Sequence, residues 1–89
     1  MRYEFRESNE VLDIIRVKDG YKYTIRIFKT YVNYIALIVE KLDRRGYKPV
    51  KVLYGRFDHD KIIMMLNEDG YEKTFTKIYL ELTKQKARK

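Results

Sequence analysis

The stretch VLDIIRVKDGYKYTIRIF, residues 11–28, decides the architecture of this chain. Asp19-Gly20 is a dipeptide favoured in two-residue type I′ turns, where both positions need a positive φ, and it separates two runs rich in β-branched and aromatic residues. Closing the hairpin with Lys18 opposite Tyr21 sets Leu12 opposite Ile27, Ile14 opposite Ile25, Arg16 opposite Tyr23 and Asp13 opposite Arg26. Apolar residues meet apolar ones, and the acid meets a base. A slip of one residue would send every side chain to the other face and destroy these matches. One face then carries Leu12, Ile14, Ile25 and Ile27, continuing to Arg16 and Tyr23 near the turn; the other mixes Val11, Ile15, Val17 and Phe28 with Asp13, Lys22, Thr24 and Arg26. The first face is expected to be buried and the second partly covered.

Towards the N-terminus, RYEFRE (2–7) alternates Tyr3 and Phe5 with charged residues and reads as an edge strand whose charges discourage further pairing. Towards the C-terminus, NYIALIVEKL (33–42) fits both a buried strand and a helix capped by Thr30 and closed by Gly46. Both periods fit across 31–45; we read NYIALIVEKL as strand, because Val32, Tyr34, Ile35, Ile38 and Val39 favour it and DRRG (43–46) suits a type I turn followed by a left-handed glycine. The return strand is YKPVKVLYG (47–55), and Pro49 places it at an edge or delays its pairing.

The habit changes at FDHDKIIMMLNEDG (57–70). Asp58 is an N-cap, Phe57 and Ile62 form a hydrophobic staple, Ile62, Met65 and Leu66 make the buried stripe, and Gly70 closes the helix. Beyond Gly70, residues 71–86 fit two periods: Phe75, Ile78, Tyr79 and Leu82 recur at helical spacing, while Thr74, Thr76, Ile78 and Leu80 alternate as in a strand. We read helix, since Glu81 can pair with Lys77 and the segment is rich in helix formers. The expected fold is α+β: an antiparallel β-meander of about five strands packed on one face by one or two C-terminal helices, forming a single domain over 1–83 with a basic tail at 84–89. Gly-Tyr recurs at 20–21, 46–47 and 70–71, yet the intervening segments do not match, so the glycines punctuate elements rather than mark a repeat.

At 89 residues, 45% of them hydrophobic, the chain supports one modest core; with 37% charged, its surface is rich in ions. The absence of cysteine removes disulfides, thiolate nucleophiles and Cys-based zinc sites. No apolar run approaches the ~20 residues needed to span a bilayer, and a cytoplasmic protein is expected. Absent Cys, low Gln and abundant Lys, Arg, Glu, Ile and Tyr follow the habit of hyperthermophile proteins.

Catalytic chemistry has little to draw on. His59 is the sole histidine, and Asp58, His59 and Asp60 are consecutive at a helix start, so they diverge rather than converge on a metal. Ser8, the sole serine, lacks any nucleophile-elbow context, and neither GxxxxGK nor GxGxxG occurs. We expect no enzyme, no cofactor and no metal. The combination that suits a function is aromatic and basic: Arg16, Lys18, Tyr21, Lys22 and Tyr23 at the first hairpin tip, with Arg44, Arg45, Tyr47 and Lys48 at the second, able to stack on unpaired bases and neutralise phosphates. The tail adds Lys84, Lys86, Arg88 and Lys89 with no acid, so it holds four of the seven net positive charges.

The stretch IVEKLDRRGYKPVKVLYGRFDHDKIIMML (38–66), about a third of the chain, resembles small, basic, Cys-free proteins of unknown function from hyperthermophilic archaea, notably Sulfolobus-like crenarchaea or their viruses. That resemblance implies a hot habitat and association with nucleic acid or ribosomes; it transfers no functional residue. The expectation is a non-enzymatic nucleic-acid-binding or ribosome-associated protein, with RNA the first partner and DNA the second. The alternative is a protein-interaction module or homodimer using a sheet edge or the Met64/Met65 face.

Overall fold

A computed structural model describes residues 1–87. Five strands, β1 (Arg2–Glu7), β2 (Val11–Lys18), β3 (Tyr21–Phe28), β4 (Tyr34–Asp43) and β5 (Gly46–Arg56), lie side by side in chain order in one antiparallel sheet. The helical segment α1 (His59–Ala87) covers one face. β2 and β3 pair in the register expected from the sequence, from Lys18 opposite Tyr21 to Leu12 opposite Ile27. Asp19 and Gly20 have φ of 53° and 80°, the double positive φ of a type I′ turn, which fits the twist of the flanking strands.

β4 falls within one residue of the stretch 33–42 read as strand. Val32, whose type favours strand, lies instead with Tyr31 in the loop between β3 and β4, and both are exposed. Of the two alternatives Pro49 left, the edge holds: β5 is an edge strand that pairs from Gly46 onward, and Pro49 faces Glu40 at a register shift where a missing N–H disturbs the ladder least. That shift, between Val39 and Glu40, inserts one extra residue into β5 and reverses which of its side chains face the helix.

α1 is two helices joined at Gly70, whose φ of 81° and ψ of −179° break the spiral. Asp58 caps the first, its Oδ1 accepting from Asp60 N–H (3.0 Å) and Lys61 N–H (3.4 Å). Ile62 and Met65 from the first helix and Phe75, Ile78 and Leu82 from the second pack on Leu12, Ile14, Ile25, Ile27, Ile35, Leu37 and Leu53. The helical period therefore decides residues 71–86, because it buries Phe75, Ile78 and Leu82 together and leaves Thr76 and Leu80 outside. Among the described residues no helix is long and apolar enough to cross a membrane.

The second helix ends against β5. Gln85 Oε1 accepts from Arg56 N–H (3.2 Å) and its Nε2 donates to Arg56 C=O (2.8 Å), so one amide serves two backbone groups on the outer edge of the sheet. The helix can come this close because Gly55 has no side chain: a Cβ there would overlap Leu82 Cδ2 and Gln85 Oε1. Leu82 is fully buried and has little room to retract. Gly55→Ala should therefore lower the unfolding free energy by ~1–3 kcal/mol, measured by urea denaturation. A midpoint equal to that of the wild type would show that the helix end is not pressed on β5.

The opposite face of the sheet carries no second layer among the described residues. Ile15, Thr24 and Ala36 are nonetheless buried, and Asp13 retains only 7% exposure. Their neighbours in register are Glu4, Arg26 and Ile38, whose side chains supply the cover that no element provides.

Candidate nucleic-acid interface

The two hairpin tips singled out in the sequence do meet. Leu42 N–H donates to Gly20 C=O (2.8 Å), so the turn at Asp19-Gly20 and the turn at Arg44-Arg45 share one end of the sheet. Lys18, Arg44, Arg45 and Lys48 are exposed there. Lys48 pairs with Asp43 (3.4 Å), Lys22 lies 4.0 Å from Glu40 and 5.5 Å from the centroid of the Tyr47 ring, and Lys41 sits 6.0 Å from that of Tyr21. These side chains share one end of the sheet but divide between its faces, Lys18, Tyr21 and Lys41 on the helix side and Lys22, Glu40 and Tyr47 on the other, and several are partnered there.

Arg16 and Tyr23 do not belong to that surface. Both lie on the helix side, where the Arg16 guanidinium stands 4.8 Å from the Tyr23 ring, 4.6 Å from Phe75 and 5.5 Å from Tyr79. Its Nε is buried and has no hydrogen-bond partner among the described residues. Expecting it at an exposed tip overlooked the second helix, whose aromatic residues reach this end of β2 and enclose the cation. The tail is separate again. Lys84 is exposed and Lys86 lies in the last turn of α1, at the Arg56 end of β5 remote from the hairpin tips, while Arg88 and Lys89 fall outside the described residues.

At that remote end the structure assembles an aromatic group absent from the sequence reading: Phe28, Tyr31, Tyr34 and Tyr54. Tyr34 stacks on Tyr54 across β4 and β5 with centroids 5.8 Å apart and planes at 18°. Phe28 lies 5.5 Å from Tyr34 and 6.3 Å from Tyr31, and Tyr31 lies 6.2 Å from Tyr34. The inner rings are partly covered, but the outer ones are open, Tyr31 at 65% exposure and Tyr54 at 54%. Strand pairing explains the assembly, since Ala36 opposite Tyr54 and Tyr34 opposite Arg56 place these residues on the uncovered face.

The loop that presents Tyr31 is held on all sides. Lys29 N–H donates to Glu10 C=O (2.9 Å), Tyr34 N–H to Tyr31 C=O (3.1 Å) and Phe57 N–H to Asn33 C=O (2.9 Å). Asn33 tolerates a left-handed φ of 61°, and its Oδ1 accepts from His59 N–H (3.0 Å). The His59 ring reaches Tyr34 C=O through Nε2 (3.2 Å), which ties the start of α1 to the aromatic group. His59 is thus a structural tie, and among the described residues no three His, Cys, Asp or Glu side chains converge as metal ligands.

Charge on the uncovered face is mostly internally matched. Arg26 donates to both carboxylate oxygens of Asp13 through Nε (2.9 Å) and Nη2 (3.0 Å), and these bonds, opposed in part by burial, raise its pKa above the ordinary guanidinium value. Arg2 and Arg6 bracket Glu4 at 3.1 and 3.2 Å. Arg56 differs: it is exposed, adjoins Tyr31 and Tyr34, and has no ion-pair partner among the described residues. The chain matches no protein-family model, no curated protein and no solved structure.

Proposed function

We propose that this protein is a non-enzymatic cytoplasmic module that binds single-stranded nucleic acid, RNA above all, on its own or on the ribosome. The observation that carries this reading is the aromatic group Phe28, Tyr31, Tyr34 and Tyr54, open at Tyr31 and Tyr54, on a helix-free sheet face beside Arg56, a cation with no ion-pair partner among the described residues. Open aromatic rings stack on unpaired bases of any identity, and a fixed loop presents them without a large ordering cost on binding. Arg56 and the exposed Lys84 supply phosphate contacts at the same end of the molecule, and the acid-free sequence 84–89 adds positive charge.

Fluorescence anisotropy with a labelled oligouridine tests the proposal. Binding should weaken steeply with added salt, the slope of log K against log [salt] being ~0.7 for each phosphate contact, and replacing Lys84, Lys86, Arg88 and Lys89 by alanine with Gln85 kept should flatten it. Failure to bind single-stranded or duplex RNA or DNA at low salt overturns the reading.

A second reading rests on a different observation. Val50, Val52 and Tyr54 are exposed on the edge strand β5, a combination that suits pairing with a second copy. It requires a dimeric scattering mass that persists in high salt. Dissociation or a monomeric mass across micromolar concentrations counts against it.

A further inference from the structure

We propose that the cleft bounded by Arg56, Lys61 and Lys77 is a phosphate subsite, seating the backbone of a strand whose base stacks on Tyr31 and Tyr34. This rests on the single-strand reading above and adds to it the path the strand takes. Arg56 lines two adjoining depressions. One, of about 620 Å³, is walled by Tyr31, Val32 and Tyr34 with Thr30 and contains no acid. The other, of about 390 Å³, lies where the two helices of α1 meet the end of β5 and is lined by Arg56, Lys61 and Lys77 together with Phe57, Asp58 and Glu81. An aromatic depression and a cationic one thus share a single guanidinium, the arrangement that a nucleotide with its flat apolar base and its charged phosphate requires.

Three features favour phosphate in the second depression. Arg56, Lys61 and Lys77 are exposed at their shared cleft, and none has an ion-pair partner among the described residues, although two carboxylates are near. Asp58 is occupied in capping the first helix, where its Oδ1 accepts two backbone N–H groups. Arg56 is pinned through its own backbone by Gln85, so its side chain projects from a fixed point between the two depressions. Guanidinium and ammonium groups brought together by strand, helix start and returning helix converge on one anion with little rearrangement.

The test compares salt slopes for a labelled oligouridine about 10 nucleotides long. The double variant Lys61→Ala/Lys77→Ala should lose about tenfold in affinity at low salt and reduce the slope by about 1.4, two contacts' worth. Lys51→Ala/Lys73→Ala removes the same charge from exposed sites outside the cleft and should leave the slope within error of wild type. Equal losses in both doubles, or none in the first while the wild type still binds, overturn the subsite and leave the stacking reading standing. A wild type that does not bind the oligouridine overturns both. All four lysines are exposed, and thermal melts of the two doubles should match the wild type.

Discussion

Phe75→Ala should cost ~3–5 kcal/mol of folding stability, the largest loss expected from any single truncation in this domain. Phe75 is fully buried, meets the Tyr3 ring edge-on at 6.0 Å and Tyr79 at 6.1 Å, and supports the Arg16 guanidinium. Its removal leaves a cavity between β1, β2 and the second helix, and it also strips one of the three rings from the Arg16 cation. A small domain holds about 5–15 kcal/mol in total, so the variant should be marginal at 25 °C and show a large drop in urea midpoint. The Arg16 share can be isolated by a double-mutant cycle with Arg16→Met, where a coupling of ~0.5–2 kcal/mol is expected. Should Phe75→Ala lose less than about 1 kcal/mol, the second helix would not be docked on the sheet as described.

Tyr31→Ala and Tyr54→Ala should each weaken oligouridine binding by roughly 5- to 150-fold, since one base–aromatic stack is worth about 1–3 kcal/mol. Both rings are more than half exposed, so the fold should tolerate their loss far better than that of Phe75. Tyr31→Phe and Tyr54→Phe keep the stacking face and should bind nearly as well as the wild type, which separates stacking from any hydrogen bond of the phenol. The informative comparison is with Tyr21→Ala and Tyr47→Ala at the hairpin tips. Weaker binding from the tip variants than from Tyr31→Ala and Tyr54→Ala would move the interface to the opposite end of the sheet.

That choice between two ends bears on what a sequence can reveal. The β2–β3 register could be read because a two-residue turn, a period of two and an acid facing a base all agree. The first helix was legible through Asp58, Phe57 and Gly70 at its ends. The aromatic group was not, and the cause is local. Pairing continued from Asp43 opposite Gly46 without a bulge would set Tyr34 against Gly55 and turn Tyr54 towards the helix. The extra residue near Pro49 undoes that, and nothing in the amino-acid pattern around Val39 and Glu40 announces it. Tyr31 was hidden differently, since it lies in a loop between two strands where no periodicity assigns it a face. The tip residues were placed at the right end of the sheet, yet Arg16 and Tyr23 were lost to the solvent surface because a helix more than half the chain away returns to cover them.

The cage around Arg16 also orders events in time. Every strand pairs with its neighbour in sequence through a short connection, so the sheet can zip up from local contacts at small loop-closure cost. The rings of Phe75 and Tyr79 come from far along the sequence, after all five strands, and until they arrive the guanidinium stays hydrated. Closure of the second helix is therefore the long-range step, and during synthesis it waits for residues 75–82 to emerge.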